Sequence, residues 1–143
     1  MGQKGGLYLS KMFTEEWFHS FCEMINGDKR YNSNGKGWLW DVDFVIRGDE
    51  NSNAIKPGLN VRARLKLRDG RCEGVELVKR EMEKRDGYVI EGKASTWEGV
   101  IEGRMTIINA ILKGDLSVTG NMRKLTEYIL AANDLVRIAR MVK

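Results

Sequence analysis

The chain of 143 residues has one proline, one histidine and two cysteines. A single histidine rules out a histidine-based metal cluster. His19 itself falls on the polar side of an amphipathic stretch, beside Glu15 and Glu23. Cys22 and Cys72 form no Cys-x-x-Cys pair and have no companion metal ligands. This predicts free thiols in a reducing compartment, with Cys22 buried on an apolar stripe. No apolar run approaches the ~18 residues of a membrane-spanning helix. The opening Met1-Gly2-Gln3-Lys4-Gly5-Gly6 has no apolar secretory segment, so the expected location is cytoplasmic. Charge imbalance is small: 24 basic against 20 acidic residues, net +4, both signs spread along the chain. A dedicated nucleic-acid binder concentrates base on one face, so nucleic acid is not expected as a partner, while a transient anionic membrane surface is compatible. The glycine-rich stretches at Gly2–Gly6 and Gly35–Gly37 lack the Gly-Lys-Ser/Thr of a phosphate loop.

What is present is hydrophobic periodicity that changes along the chain. Residues 1–12 show none and read as a loose leader; residues 13–143 read as a single domain of a size that buries a real core. Thr14 caps a first helix, with Glu15 and Glu16 in its first turn and Phe13 stapling onto Phe18. Phe18, Phe21, Cys22 and Ile25 follow at helical spacing. Residues 27–37 read as a polar loop. Trp38, Trp40, Val42, Phe44 and Ile46 then share one face of a strand and Asp41 and Asp43 the other. Val61, Ala63, Leu65 and Leu67 alternate with Arg62, Arg64, Lys66 and Arg68 before an Asp69-Gly70 hairpin signal. A three-residue loop there pairs Ala63 with Val75 and Val61 with Leu77, keeping apolar with apolar and setting Glu76 opposite Arg62. A charged connector, Lys79 to Asp86, leads to a strand with Tyr88, Ile90, Gly92 and Ala94 facing inward. Ser95-Thr96-Trp97-Glu98 matches a capping box.

The most informative stretch runs from Gly103 to Leu130. Thr106 caps a short helix bearing Ile107, Ile108, Ile111 and Leu112, stopped at Gly114. Leu116-Ser117-Val118-Thr119 alternates as a half-buried strand, and Asn121 caps a helix with Met122, Leu125 and Ile129 on one stripe. Asn133 breaks that helix and Asp134 caps a last one through Val142. The run Gly114-Asp115-Leu116-Ser117-Val118-Thr119-Gly120-Asn121-Met122, between two apolar helices, resembles the signature of the sterol carrier protein type two domain. The resemblance covers residues 13–132. It implies an α+β fold: a five-stranded, mostly antiparallel sheet with helices packed on one face and a hydrophobic tunnel between sheet and helices.

On the residues alone, the apolar stripes are a packed core. The resemblance implies that they enclose a lipid, with Phe44, Trp97, Ile101, Met105, Ile108, Leu112, Leu116, Val118, Met122, Leu125 and Ile129 as lining. The implied function is a non-catalytic, intracellular lipid-binding or lipid-transfer module for a fatty acid, fatty acyl-CoA or isoprenoid-like lipid. No cofactor or metal is expected, and an oligomer is compatible. The alternative is an interaction or accessory module of a lipid-metabolising enzyme, with a filled core. Two other readings rest on the sheet. Asp41 with Asp43 is the one carboxylate pair for acid–base work, and the Arg62–Arg68 ladder is the one candidate nucleic-acid face. Solvated, charge-matched faces of antiparallel sheets are commoner than either.

Overall fold

The computed structural model describes residues 11–79 and 87–143. Most of the expected leader, and the charged connector from Arg80 onward, lie outside these residues. The first helix, α1 (Glu15–Asn26), starts where its cap predicts: the Thr14 hydroxyl accepts from the Trp17 amide at 3.2 Å. Phe13 stacks on Phe18 across the helix start, with ring centroids 6.4 Å apart. Trp17, Phe18, Phe21 and Ile25 are buried on its inner side.

Residues 27–37 are not wholly a loop. They include the short helix α2 (Lys29–Asn34), whose N-terminus is satisfied by Asp28 accepting from the Tyr31 amide at 2.9 Å. Its single anchor is Tyr31, 1% exposed. One buried aromatic in a polar run leaves no periodic signal to read.

Strands β1 (Asp41–Arg47), β2 (Asn60–Arg68), β3 (Arg71–Leu77), β4 (Tyr88–Lys93) and β5 (Leu116–Thr119) form one sheet in the order β3-β2-β1-β4-β5. The β1–β4 pair is parallel and the other three are antiparallel. Phe44 lies beside Ala63 on one neighbour and Ile90 on the other, so the apolar faces of the central strands coincide.

The hairpin register differs from the expected one. Asp69 and Gly70 have φ of 53° and 85° and Arg68 pairs with Arg71, a two-residue turn of the kind Asp-Gly favours. Gly70 packs directly on α2: a Cβ there would sit 2.2 Å from the Asn32 carbonyl oxygen. A bulge corrects the phase. Leu67 pairs with Cys72 but Leu65 pairs with Val75, leaving Glu73 and Gly74 opposite Lys66. Val75 and Leu77 thereby return to the apolar face, against Leu65 and Ala63, and Glu76 faces Arg64 rather than Arg62.

The remaining helices are α3 (Ala94–Ile101), α4 (Ile107–Leu112), α5 (Met122–Glu127) and α6 (Ile129–Met141). Thr106 and Asn121 cap α4 and α5 as expected, accepting from the amides of Asn109 and Lys124, each at 3.1 Å. The expected capping box at Ser95 does not form. Helix α3 begins two residues earlier, with Lys93 in the cap position, and its amide end is satisfied from the β1–β2 loop, where Asp49 accepts from the Ser95 amide at 3.0 Å and hydroxyl at 2.6 Å. Glu98 works in the opposite direction, accepting from the Ser52 hydroxyl and from the Asn53 amide at 3.0 Å. Nor does Asn133 break the chain: α6 runs through it, and Asp134 reaches across to α2 instead of capping.

The cysteine expectation is overturned outright. Cys22 on α1 and Cys72 on β3 are joined by a disulfide, with Cα atoms 5.4 Å apart and 50 residues between them in sequence. The bulged hairpin turns Cys72 inward onto α1, a placement no local pattern reports. Among the described residues, no helix is long and apolar enough to cross a membrane.

Candidate functional site: an apolar cavity between sheet and helices

The inner sheet face, α1, α3 and α6 border a half-open cavity of about 80 Å³. Val42, Phe44 and Ile46 of β1, Leu67 of β2 and Ile90 of β4 form its floor. Phe13 with Trp17, Phe18 and Phe21 of α1 makes one wall. Trp97, Val100 and Ile101 of α3 make a second. Tyr128 and the α6 residues Ala131, Leu135, Val136 and Ala139 close the roof. The aromatic parts interlock: Phe44 meets Trp97 edge-on at 5.4 Å and Trp38 meets Tyr128 edge-on at 5.3 Å. Two of the three lining indoles have their N–H groups engaged, Trp38 donating to the Trp40 carbonyl at 2.9 Å and Trp97 to the Val45 carbonyl at 3.2 Å. Among the described residues, no charged side chain lines the cavity.

Of the residues expected to line a tunnel, Phe44, Trp97, Ile101 and Leu125 are in this wall. Leu116 is buried at 1% exposure but lies outside the lining, and Met105, Ile108, Val118 and Ile129 pack partly buried against the core. Leu112 and Met122 are 79% and 40% exposed. The structure adds the α1 aromatics, Tyr31, Trp38, Tyr128 and the α6 face. The α1 stripe was visible as periodicity, but which side of the sheet it covers is a matter of connectivity. Tyr31 and Tyr128 carried no signal.

The two walls are held differently. Helix α1 is bound covalently to β3, and Asn26 adds a donor to the Cys72 carbonyl and an acceptor for its amide, both at 2.8 Å. Helix α6 is held by polar contacts. Arg137 donates twice to Asp28, each at 2.8 Å, and once to Asp134 at 3.2 Å. Asn34 donates to Asp134 at 2.7 Å, and Arg140 donates to the Ile101 carbonyl at 2.7 Å. The Arg137 guanidinium holds the Asp28 carboxyl at a pKa of about 2.

The other two candidate sites are occupied by each other. On the outer sheet face, Arg64 makes a paired contact with Asp43 at 2.7 and 2.8 Å, and Arg62 reaches the same carboxylate at 2.9 Å. Arg68 pairs with Asp41 at 2.8 Å. Asp43 and Arg64 are both buried, at 4% and 2% exposure. The ladder is charge-matched across the strands, and both carboxylates serve as its counter-ions.

No family model matches the sequence, and no curated protein matches it. Solved structures do. A crystal structure of sterol carrier protein 2 is 31% identical, with 93% of this chain and 100% of that one covered and a TM-score of 0.80. The solution structure of a conserved hypothetical protein from Thermus thermophilus, described as possibly a sterol carrier protein, is 32% identical. It covers 92% of this chain and 90% of its own, with a TM-score of 0.78. At 13% identity and a TM-score of 0.55, sterol carrier protein 2 from Yarrowia lipolytica in its apo form shares the fold. With the signature run at Gly114–Met122, the sheet order and near-complete coverage at this identity, the chain belongs to the sterol carrier protein 2 family.

Proposed function

We propose that this protein is a non-catalytic lipid carrier that takes the apolar part of a fatty acid, fatty acyl-CoA or isoprenoid-like lipid between its sheet and helices. The observation that carries the reading is the cavity itself: a half-open apolar space in a family fold, walled by hydrocarbon and aromatic side chains from sheet and helices alike. Burial of a chain at ~0.8 kcal/mol per methylene supplies affinity without a dedicated polar motif. The space is small. An apolar cavity of about 150 Å³ takes one benzene, so about 80 Å³ receives only the leading carbons of a chain. Admitting the rest requires a wall to move, and α6, fastened by side-chain contacts and faced with small residues, moves more readily than disulfide-bound α1. Transient contact with an anionic membrane surface during loading belongs to the same proposal. It draws on the net charge of +4 and the exposed Leu112, Met122 and Leu130.

A cytoplasmic setting is proposed with it. A reducing cytosol leaves Cys22 and Cys72 as thiols that alkylate in freshly opened cells, whereas resistance to alkylation points to an oxidising compartment or to the disulfide-retaining cytosol of some thermophilic organisms. The central test is native mass spectrometry of the purified protein, followed by organic extraction of whatever co-purifies. A stoichiometric lipid is expected. Ala131→Leu, which fills the cavity, removes it, while Leu112→Trp on the exposed face of α4 keeps it. A protein that carries no lipid and binds none offered, with both variants indistinguishable from the parent, is instead an accessory module with a filled core.

A further inference from the structure

One end of the cavity differs chemically from the rest. Tyr31 and Tyr128 both line it, and both rings end against a single turn, Gly35 to Trp38, closed by the Trp38 amide donating to the Gly35 carbonyl at 3.1 Å. A Cβ at Gly35 would lie 2.9 Å from the Tyr31 Cζ, and one at Gly37 2.4 Å from the Tyr128 hydroxyl oxygen. The two glycines thus leave room for both phenol rings to reach the same turn. Neither hydroxyl has a hydrogen-bond partner among the described residues. With the Trp38 and Trp97 indoles committed to backbone carbonyls, the two phenols and the Trp17 indole N–H are the polar side-chain groups of the lining without a partner among the described residues, and the phenols are the pair that meets at this turn.

The charges around this end favour an uncharged ligand. Asp134, 7% exposed, stands near Tyr31, and burial followed by that carboxylate pushes the Tyr31 phenol above its ordinary pKa, so it remains a neutral donor. The nearby cation, Arg137, is engaged by Asp28 and Asp134. A ligand carboxylate placed here would be desolvated beside a like charge with no free counter-ion. An uncharged oxygen would instead accept a phenol proton that has no hydrogen-bond partner among the described residues.

Resting on the lipid-site reading above, we propose that Tyr31 and Tyr128 form the polar end of the cavity. They donate hydrogen bonds to the oxygen of an uncharged lipid (an alcohol, ketone or ester) and so select it over a carboxylate or a plain hydrocarbon, which narrows the lipid classes named above to the uncharged ones and sets aside the free fatty acid. Trp17, Trp38 and Trp97 line the same space, so tryptophan emission reads occupancy. Titration with 1-decanol, decane and decanoate at neutral pH, on the parent, Tyr31→Phe and Tyr128→Phe, tests the assignment. Decanoate is expected to bind more weakly than decanol. The decanol-to-decane affinity ratio is expected to fall about five- to ten-fold in each variant, the loss of one hydrogen bond to a buried group. Thermal midpoints should stay near the parent's, since no protein contact of either hydroxyl is removed; where one variant is less stable, the ratio in the other decides. A ratio unchanged in both variants, or decanoate binding as tightly as decanol, overturns the assignment and leaves the lipid site standing. Binding of none of the three to the parent overturns the lipid site itself.

Discussion

Asp28 serves two elements with one carboxylate: it caps α2 through the Tyr31 amide and receives both arms of Arg137 from α6. Its pKa of about 2, against an ordinary 3.8, is set first by the Arg137 hydrogen bonds. Because the folded-state value is depressed, the stabilisation is complete above about pH 4 and disappears as pH falls through about 2. The gap corresponds to at most about 2 kcal/mol, and to nearer 1 once the partial exposure of Arg137 is allowed for. Asp28→Asn should therefore lower the urea midpoint at neutral pH and match the parent at about pH 2; an equal deficit at both would mean that the pair contributes nothing as an ion pair. Asp49 is a second residue with a distant task. Asp49→Ala removes the cap that the β1–β2 loop lends to α3 and should cost about 1–2 kcal/mol. Faster amide exchange at Ser95 and in the first turn of α3 would locate the loss there.

Among the elements, α1 and the β2–β3 hairpin act as one body. The disulfide spans 50 residues, and by chain entropy a loop of that length stabilises by about 4 kcal/mol. Reduction should accordingly lower the thermal midpoint well beyond what Cys22 loses as a buried apolar group. Unchanged melting with and without reductant, in protein shown by mass to be reduced, would remove α1 from the role of fixed wall. Helix α6 is the counterpart. Arg137→Met cuts its ties to Asp28 and Asp134 while keeping the aliphatic stem. Ligand exchange, followed by stopped-flow tryptophan emission, should speed up in that variant; an unchanged rate would place the opening elsewhere.

At the scale of the molecule, the two faces of the sheet have separate chemistry. The inner face carries hydrocarbon to the cavity, and the outer face carries arginines matched by Asp41, Asp43 and Glu76. A face neutralised in place releases few counter-ions on meeting a polyanion. Affinity for duplex DNA should be weak and change little between low and moderate salt, whereas a steep slope would show that the pairs open to accept phosphates.

The amino-acid order by itself determined those features whose cause is local. Thr14, Thr106 and Asn121 cap where the hydroxyl or amide of one residue reaches an amide three residues on. The strands at Asp41–Arg47, Asn60–Arg68 and Leu116–Thr119 follow from period-two alternation, and the Gly114–Met122 run carried the family. Phe44, Trp97, Ile101 and Leu125 reached the cavity because they sit on the apolar side of elements that were themselves legible. Everything that depends on two distant residues meeting was decided in three dimensions. A bulge at Glu73-Gly74 reset the hairpin phase and turned Cys72 onto Cys22; Asp49 displaced the capping box at Ser95; Asp134 committed its carboxylate to α2 instead of capping a new helix. Leu112 shows the same limit from the other side. Its place on an apolar stripe is helical geometry, but whether that stripe is covered depends on what packs over it, and at Leu112 little does.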